Sequence, residues 1–198
     1  MDYNDLLRQV SKYVTSFYTK EMDARLSYHN HDHTWEMLET AKEISSGYGL
    51  SDRDHFILFT AIWFYNTGYL VPGNTDPKNK SADLASTFLK SIGDDENDIS
   101  EVQSCIAATR IPQQPRTRLE EVICDAVMFY LGSEDYIKKS RLLRNETEVL
   151  ANMKIPGSKW REKSITLMEQ HQYFTEYCQA NLNKIKIDNL NRLRRRQE

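Results

Sequence analysis

Residues 56–70 read FILFTAIWFYNTGYL. From 56 to 64 every residue except Thr60 is apolar, so a helix here has no solvent side and must run through the middle of the fold. It ends on Tyr65 and Asn66, followed by Thr67 and by Gly68, which the sequence predicts as the C-cap. Polar groups at the buried end of a central helix need partners. The best upstream candidates lie in Tyr28-His29-Asn30-His31-Asp32-His33.

Upstream, Leu6, Leu7, Val10, Tyr13, Val14, Phe17 and Tyr18 are spaced for a first amphipathic helix over 2–23. A connection over 25–30 precedes a second helix over 31–47, whose inner face is expected to carry Trp35, Leu38, Ala41 and Ile44. Ser51-x-x-Asp54 resembles a capping box that opens the central helix. Downstream, 71–79 holds Pro72 and Pro77 and reads as a loop. Helices follow over 81–92, closed by Gly93, and over 99–109, with an acidic turn at 94–98 expected to face solvent. Val102, Cys105, Ile106 and Thr109 form the inner face of the second of these.

After a loop at 111–116, Thr117-x-x-Glu120 opens a helix over 118–131. Ser133 is expected to cap a long helix reaching 154, and a last helix runs from 158 into the 180s after Pro156-Gly157. No stretch alternates cleanly as a strand. The expected fold is all-α: a single bundle of seven or more helices over 1–183, with 184–198 as a basic helical tail or linker.

At 198 residues the chain can bury a substantial core. A formal net charge of −3 gives no reason to expect nucleic acid as a partner, although four arginines fall in the last seven residues. Such a tail is either a solvated helix end or a link towards a membrane surface or downstream domain. Cys105, Cys124 and Cys178 are odd in number and lack a CxxC spacing, which suits reduced thiols. With no signal peptide and no long apolar span, a cytoplasmic protein is the expectation. A homodimer is compatible with this composition.

Several residues carry potential chemistry. His29 and His33 are four apart, so a helix places them on one face, where they can share a metal or an anion, or merely pad the start of a helix. Asp125 is the one charged residue in 122–131, so it faces a polar pocket shared with His33 and Asn66 or is hydrogen-bonded to a backbone turn. Arg110, Lys78 and Lys80 are basic groups that suit a phosphate if they lie near that pocket, and solvated surface charges otherwise. Asn145-Glu146-Thr147 matches a glycosylation pattern that has no meaning in the cytoplasm.

In order and spacing these stretches resemble the HD-domain superfamily of metal-dependent phosphohydrolases over nearly the whole chain. Tyr28-His29-Asn30-x-x-His33-Thr34 is similar to a YHNxxHT opening, 59–69 to an AAxFHDxGY segment, and Ser81-Ala82-Asp83-Leu84-Ala85 to the helix after it. Ala108-Thr109-Arg110 resembles an AT-basic segment, and 119–132 resembles LExxxxDADxxxLG. The resemblance implies a metal site built from a His, a His-Asp pair and a distant Asp, with two divalent ions activating water against a phosphoester. Carried over, His33 matches the first ligand, Asp125 the distant Asp, and His29 a proton donor.

The central pair, however, is Tyr65-Asn66, the family's His-Glu is Pro77-Lys78, and the second Asp of DAD is Val127. A neutral phenol with pKa about 10 is a poor ligand at neutral pH, and Asn offers no carboxylate to bridge two ions. The resemblance therefore implies a catalytically degenerate HD-domain protein. It would bind a nucleotide or other small phosphorylated ligand through His29, His33, Tyr65, Asn66, Lys78, Arg110 and Asp125, in a sensor or regulatory role with no cofactor. The alternatives are an active phosphohydrolase or phosphodiesterase holding Mn, Fe or Mg on His33 and Asp125, with His31, Asp32 or Asn66 as a further ligand, and a relic structural or interaction domain.

Overall fold

The computed structural model describes residues 2–21, 25–71 and 76–195. Residues 22–23 of the expected first helix, Pro72 and the last three residues lie outside them. The described residues form nine α-helices and no strand: α1 Tyr3–Glu21, α2 His31–Ser45, α3 Asp52–Tyr65, α4 Pro77–Ser91, α5 Glu96–Ala108, α6 Arg118–Met128, α7 Tyr136–Leu150, α8 Gly157–Gln170 and α9 Glu176–Arg195. None is long and apolar enough to cross a membrane.

The sequence from 56 onward does what its composition requires. Every residue of α3 from Phe56 to Tyr65 is buried, and α1, α2, α4, α5 and α6 pack around it. The helix is opened by the expected capping box: Ser51 accepts from the Asp54 amide, while the Asp54 side chain accepts from the Ser51 amide. Removing one of its large apolar side chains, such as Ile62→Ala, costs about 2–5 kcal/mol. Aromatic contacts tie the layers together, with Tyr13 of α1 stacked on Phe88 of α4 at 4.2 Å between ring centroids.

Several boundaries differ from the sequence reading. The C-cap of α3 is Asn66, and Gly68 sits two residues further on, in a 3-10 turn over Thr67–Tyr69. There a Cβ on Gly68 would meet the Pro77 carbonyl oxygen at 1.9 Å, so glycine is needed for close approach to α4. That helix begins at Pro77, four residues before its expected start. Proline suits the first turn because no acceptor awaits its missing N–H, and Asp76 caps the turn by accepting from the Lys78 amide at 2.6 Å.

The acidic turn faces solvent only at its middle, Asp95 to Asn97. Asp95 caps α5, and Asp94 and Asp98 are buried, with Asp98 paired to Arg53 of α3. On α2, Trp35 is 52% exposed, and Met37 takes its expected place in the core. Thr117 accepts from the Glu120 amide, but Glu120 reaches back one residue further, to the Arg116 amide. The sixth helix stops at Met128 and tightens into a 3-10 turn, Phe129–Gly132. Ser133 closes that turn instead of opening α7, which starts at Tyr136 without a side-chain cap and ends at Leu150.

The expected last helix is two, broken over 171–175. α9 packs against the Phe129–Gly132 turn, where a Cβ on Gly132 would lie 2.6 Å from that of Leu182. The segment expected as a basic tail or linker is helical to Arg195 and docked up to Leu193. Lys186 and Asn189 are buried in it, and Asn189 donates to the Leu131 and Ser133 carbonyls. Cys105, Cys124 and Cys178 are buried free thiols.

Candidate functional site

The connection over 25–30 is short and would be loose without an anchor. Glu146 of α7 supplies one. One of its carboxylate oxygens accepts the Tyr28 and His29 amides at 2.7 and 2.9 Å, and the other takes the His29 Nδ1–H. Burial raises the Glu146 carboxyl, but these three donors outweigh it and hold the group below the usual carboxylate range. Burial pushes the His29 imidazole down to about 4 against the pull of Glu146. The pair is therefore a neutral imidazole donating to a carboxylate, which leaves His29 Nε2 unprotonated. The His29 ring stacks on Tyr69, 4.0 Å between centroids and 13° from parallel.

His33 follows on the first turn of α2. Asn30 fixes that turn by accepting the His33 amide at 3.0 Å. The His33 ring packs 4.3 Å from that of Tyr28, and its Nδ1 lies 3.7 Å from Glu36, which Lys139 of α7 binds at 2.8 Å. Burial lowers the imidazole, so His33 too is neutral near pH 7.

These histidines line a cavity of about 500 Å3. Its polar wall holds His29, His33, Tyr65, Lys78, Thr109 and Arg110. The rest of the lining is largely apolar and aromatic, with Tyr130, Tyr136, Leu143, Trp160 and Leu167, together with Lys163. Lys78 reaches in from the first turn of α4. Its Nζ sits 2.9 Å from the centroid of the Tyr65 ring and 5.7 Å from that of Tyr69, is buried, and makes no hydrogen bond. Burial drives its pKa well below that of a free lysine. Arg110 stands at the rim, donating to Asn79 at 2.5 Å with Nε 3.7 Å from Asp76.

Two residues expected in this site point elsewhere. Asn66 is fully buried beneath it and donates to Thr34 Oγ1 at 3.3 Å, an atom that also meets the Tyr18 hydroxyl at 2.9 Å. Asp125 is fully buried and turned to the break between α8 and α9. It accepts from the Phe174 amide at 3.0 Å and from the Thr175 amide and hydroxyl at 2.8 and 2.6 Å. Of the two environments open to Asp125 from sequence, a shared pocket or a backbone turn, the structure has the turn. Burial raises its carboxyl, and these donors oppose the rise.

The arrangement does not fit a divalent ion. The described residues contain no group of three or more His, Cys, Asp or Glu side chains able to hold one. Asp125 spends its oxygens on the turn between α8 and α9. Sequence reasoning missed Glu146, Tyr69 and the aromatic wall. Nothing in the polar sequence of α7 marks Glu146, because its partners lie 117 and 118 residues away.

Searches against protein-family models, curated proteins and solved structures find no match to this chain.

Proposed function

We propose that the protein is a degenerate HD-domain-like module that binds a small phosphorylated ligand of nucleotide type in the cavity, without metal and without turnover. The observation that carries this reading is the Lys78 amine, buried in the cavity wall with no partner of its own. A buried polar group without a partner is costly, and an incoming phosphate would relieve that cost and favour the protonated amine. Arg110 at the rim adds a planar donor for the same anion. The aromatic wall suits a heterocycle. A volume of about 500 Å3 lies within the range of small-molecule sites, about 300–1,000 Å3. With Asp125 committed to the turn, the hydrolase alternative loses the carboxylate it assigned to the metal.

Thermal shift and calorimetric titration with mono-, di- and cyclic nucleotides in EDTA test the reading. A true ligand at 100 times its Kd stabilises the protein by about 2.7 kcal/mol. Arg110→Gln should weaken binding by about tenfold to a hundredfold, as expected for loss of a charged hydrogen bond. Metal-dependent release of phosphate, or no response to any phosphorylated compound, would refute it.

A further inference from the structure

Holding a phosphate does not exhaust what Lys78 can do. The Lys78 amine is buried, free of hydrogen bonds and set against the face of Tyr65, and burial disfavours its charged form more than the nearby Asp76 carboxylate favours it. It nevertheless lines a cavity that also admits a ligand. Amines desolvated in this way are the ones that attack carbonyl carbons.

We propose that Lys78 captures small anionic aldehydes or ketones in this cavity as a Schiff base, with the anion of the ligand held by Arg110. The nitrogen lone pair attacks the carbonyl carbon, a C–N bond forms, and the carbonyl oxygen takes up a proton to give a carbinolamine. The carbinolamine then loses its hydroxyl and the nitrogen's proton as water, leaving C=N. Amine and carbonyl give imine and water, with no oxidant or reductant.

His29 lines the same cavity, and with its Nδ1–H committed to Glu146 it has an unprotonated Nε2 to take the proton that the attacking nitrogen sheds. The anion's seat at Arg110 is shared with the proposed phosphate site, and to that extent the inference rests on that reading. The chemistry of the amine does not.

The test is reductive trapping with cyanoborohydride at pH about 6, where free lysines, of pKa about 10.4, are almost wholly protonated. Two probes, formaldehyde and pyridoxal 5′-phosphate, are each given at a single equivalent, and the modified lysine is located by peptide mass mapping. Both should label Lys78 ahead of every other lysine, and folded Lys78→Arg should lose that label. Arg110→Gln should slow trapping of pyridoxal 5′-phosphate by about tenfold or more while leaving formaldehyde unaffected. Folded wild-type protein whose other lysines react while Lys78 does not would overturn the inference. Formaldehyde labelling of Lys78 without preference for pyridoxal 5′-phosphate would uphold the amine chemistry and overturn the anion seat.

Discussion

Replacing Asp125 separates two views of this residue by the sign of a stability change. As a metal ligand in a metal-free protein, a buried carboxylate is a burden, and its removal should leave stability unchanged or improved. In the structure it instead binds three donors of the turn between α8 and α9: the Phe174 amide, the Thr175 amide and the Thr175 hydroxyl. Each bond to a charged acceptor is worth about 1.5–3 kcal/mol, and an amide left buried without a partner costs about 1–3 kcal/mol. Because the Phe174 amide is only part-buried and can regain water, the lower end applies, and Asp125→Ala should cost about 3–5 kcal/mol. At about 2–4 °C per kcal/mol for a chain of this size, the melting temperature should fall by about 6–20 °C. Asp125→Asn should fall nearly as far, because its NH2 faces donors. Thr175→Val, which removes only the hydroxyl, should cost about 1–2 kcal/mol. Urea unfolding in EDTA and in manganese measures all three. If Asp125→Ala is as stable as the wild type in EDTA, and manganese stabilises the wild type alone, the carboxylate is a ligand and this reasoning fails.

Lys78→Met should raise stability by about 1–3 kcal/mol in urea unfolding, since it removes a buried amine without a partner, while abolishing the binding described above. The folded state holds His29 neutral down to about 4, against about 6.5 when unfolded. Its contribution is therefore whole above pH about 6.5 and is lost as the pH falls through about 4, in total about 3 kcal/mol. His29→Gln should flatten the stability profile in that window. Glu36 is held down to about 2, chiefly by the His33 ring 3.7 Å away and also by the hydrogen bond from Lys139. That contribution is present above pH about 4.5 and fades towards 2, but for so exposed a carboxylate it is under about 1 kcal/mol. Gly68→Ala should cost about 1–3 kcal/mol or more, because the Pro77 carbonyl cannot retreat without shifting α4.

The parts of this fold that are legible in the sequence are those governed by local pattern. The apolar run around Thr60 marks α3, and Ser51 and Asp54 announce its start, because a cap and its partner lie three residues apart. Trp35 shares a helical face with Leu38, which predicts a core position, yet a large ring can sit at the edge of that face, where it meets Trp63 at 6.2 Å. The start of α4 is hard to read because proline breaks helices in most positions and begins them in one.

The site was harder to read. His29, His33, Tyr65, Lys78 and Arg110 come together in one cavity. Asp125 does not join them, because its partners are 49 and 50 residues downstream, in a break that no glycine or proline marks. Glu146 is invisible for the same reason. A carboxylate that clamps a distant loop looks, in sequence, like any other acid on a polar helix.

The central helix has one consequence for how the chain is made. α3 has no wet side, and three of the five helices that cover it, α4, α5 and α6, follow it in the sequence. While the chain is being synthesised, 56–65 leaves the ribosome with only α1 and α2 available to shelter it. It stays partly uncovered until α6 has emerged, more than sixty residues later. The nascent protein therefore passes through a stage that chaperones would recognise, and a pause in translation between α3 and α6 would lengthen the time it spends there.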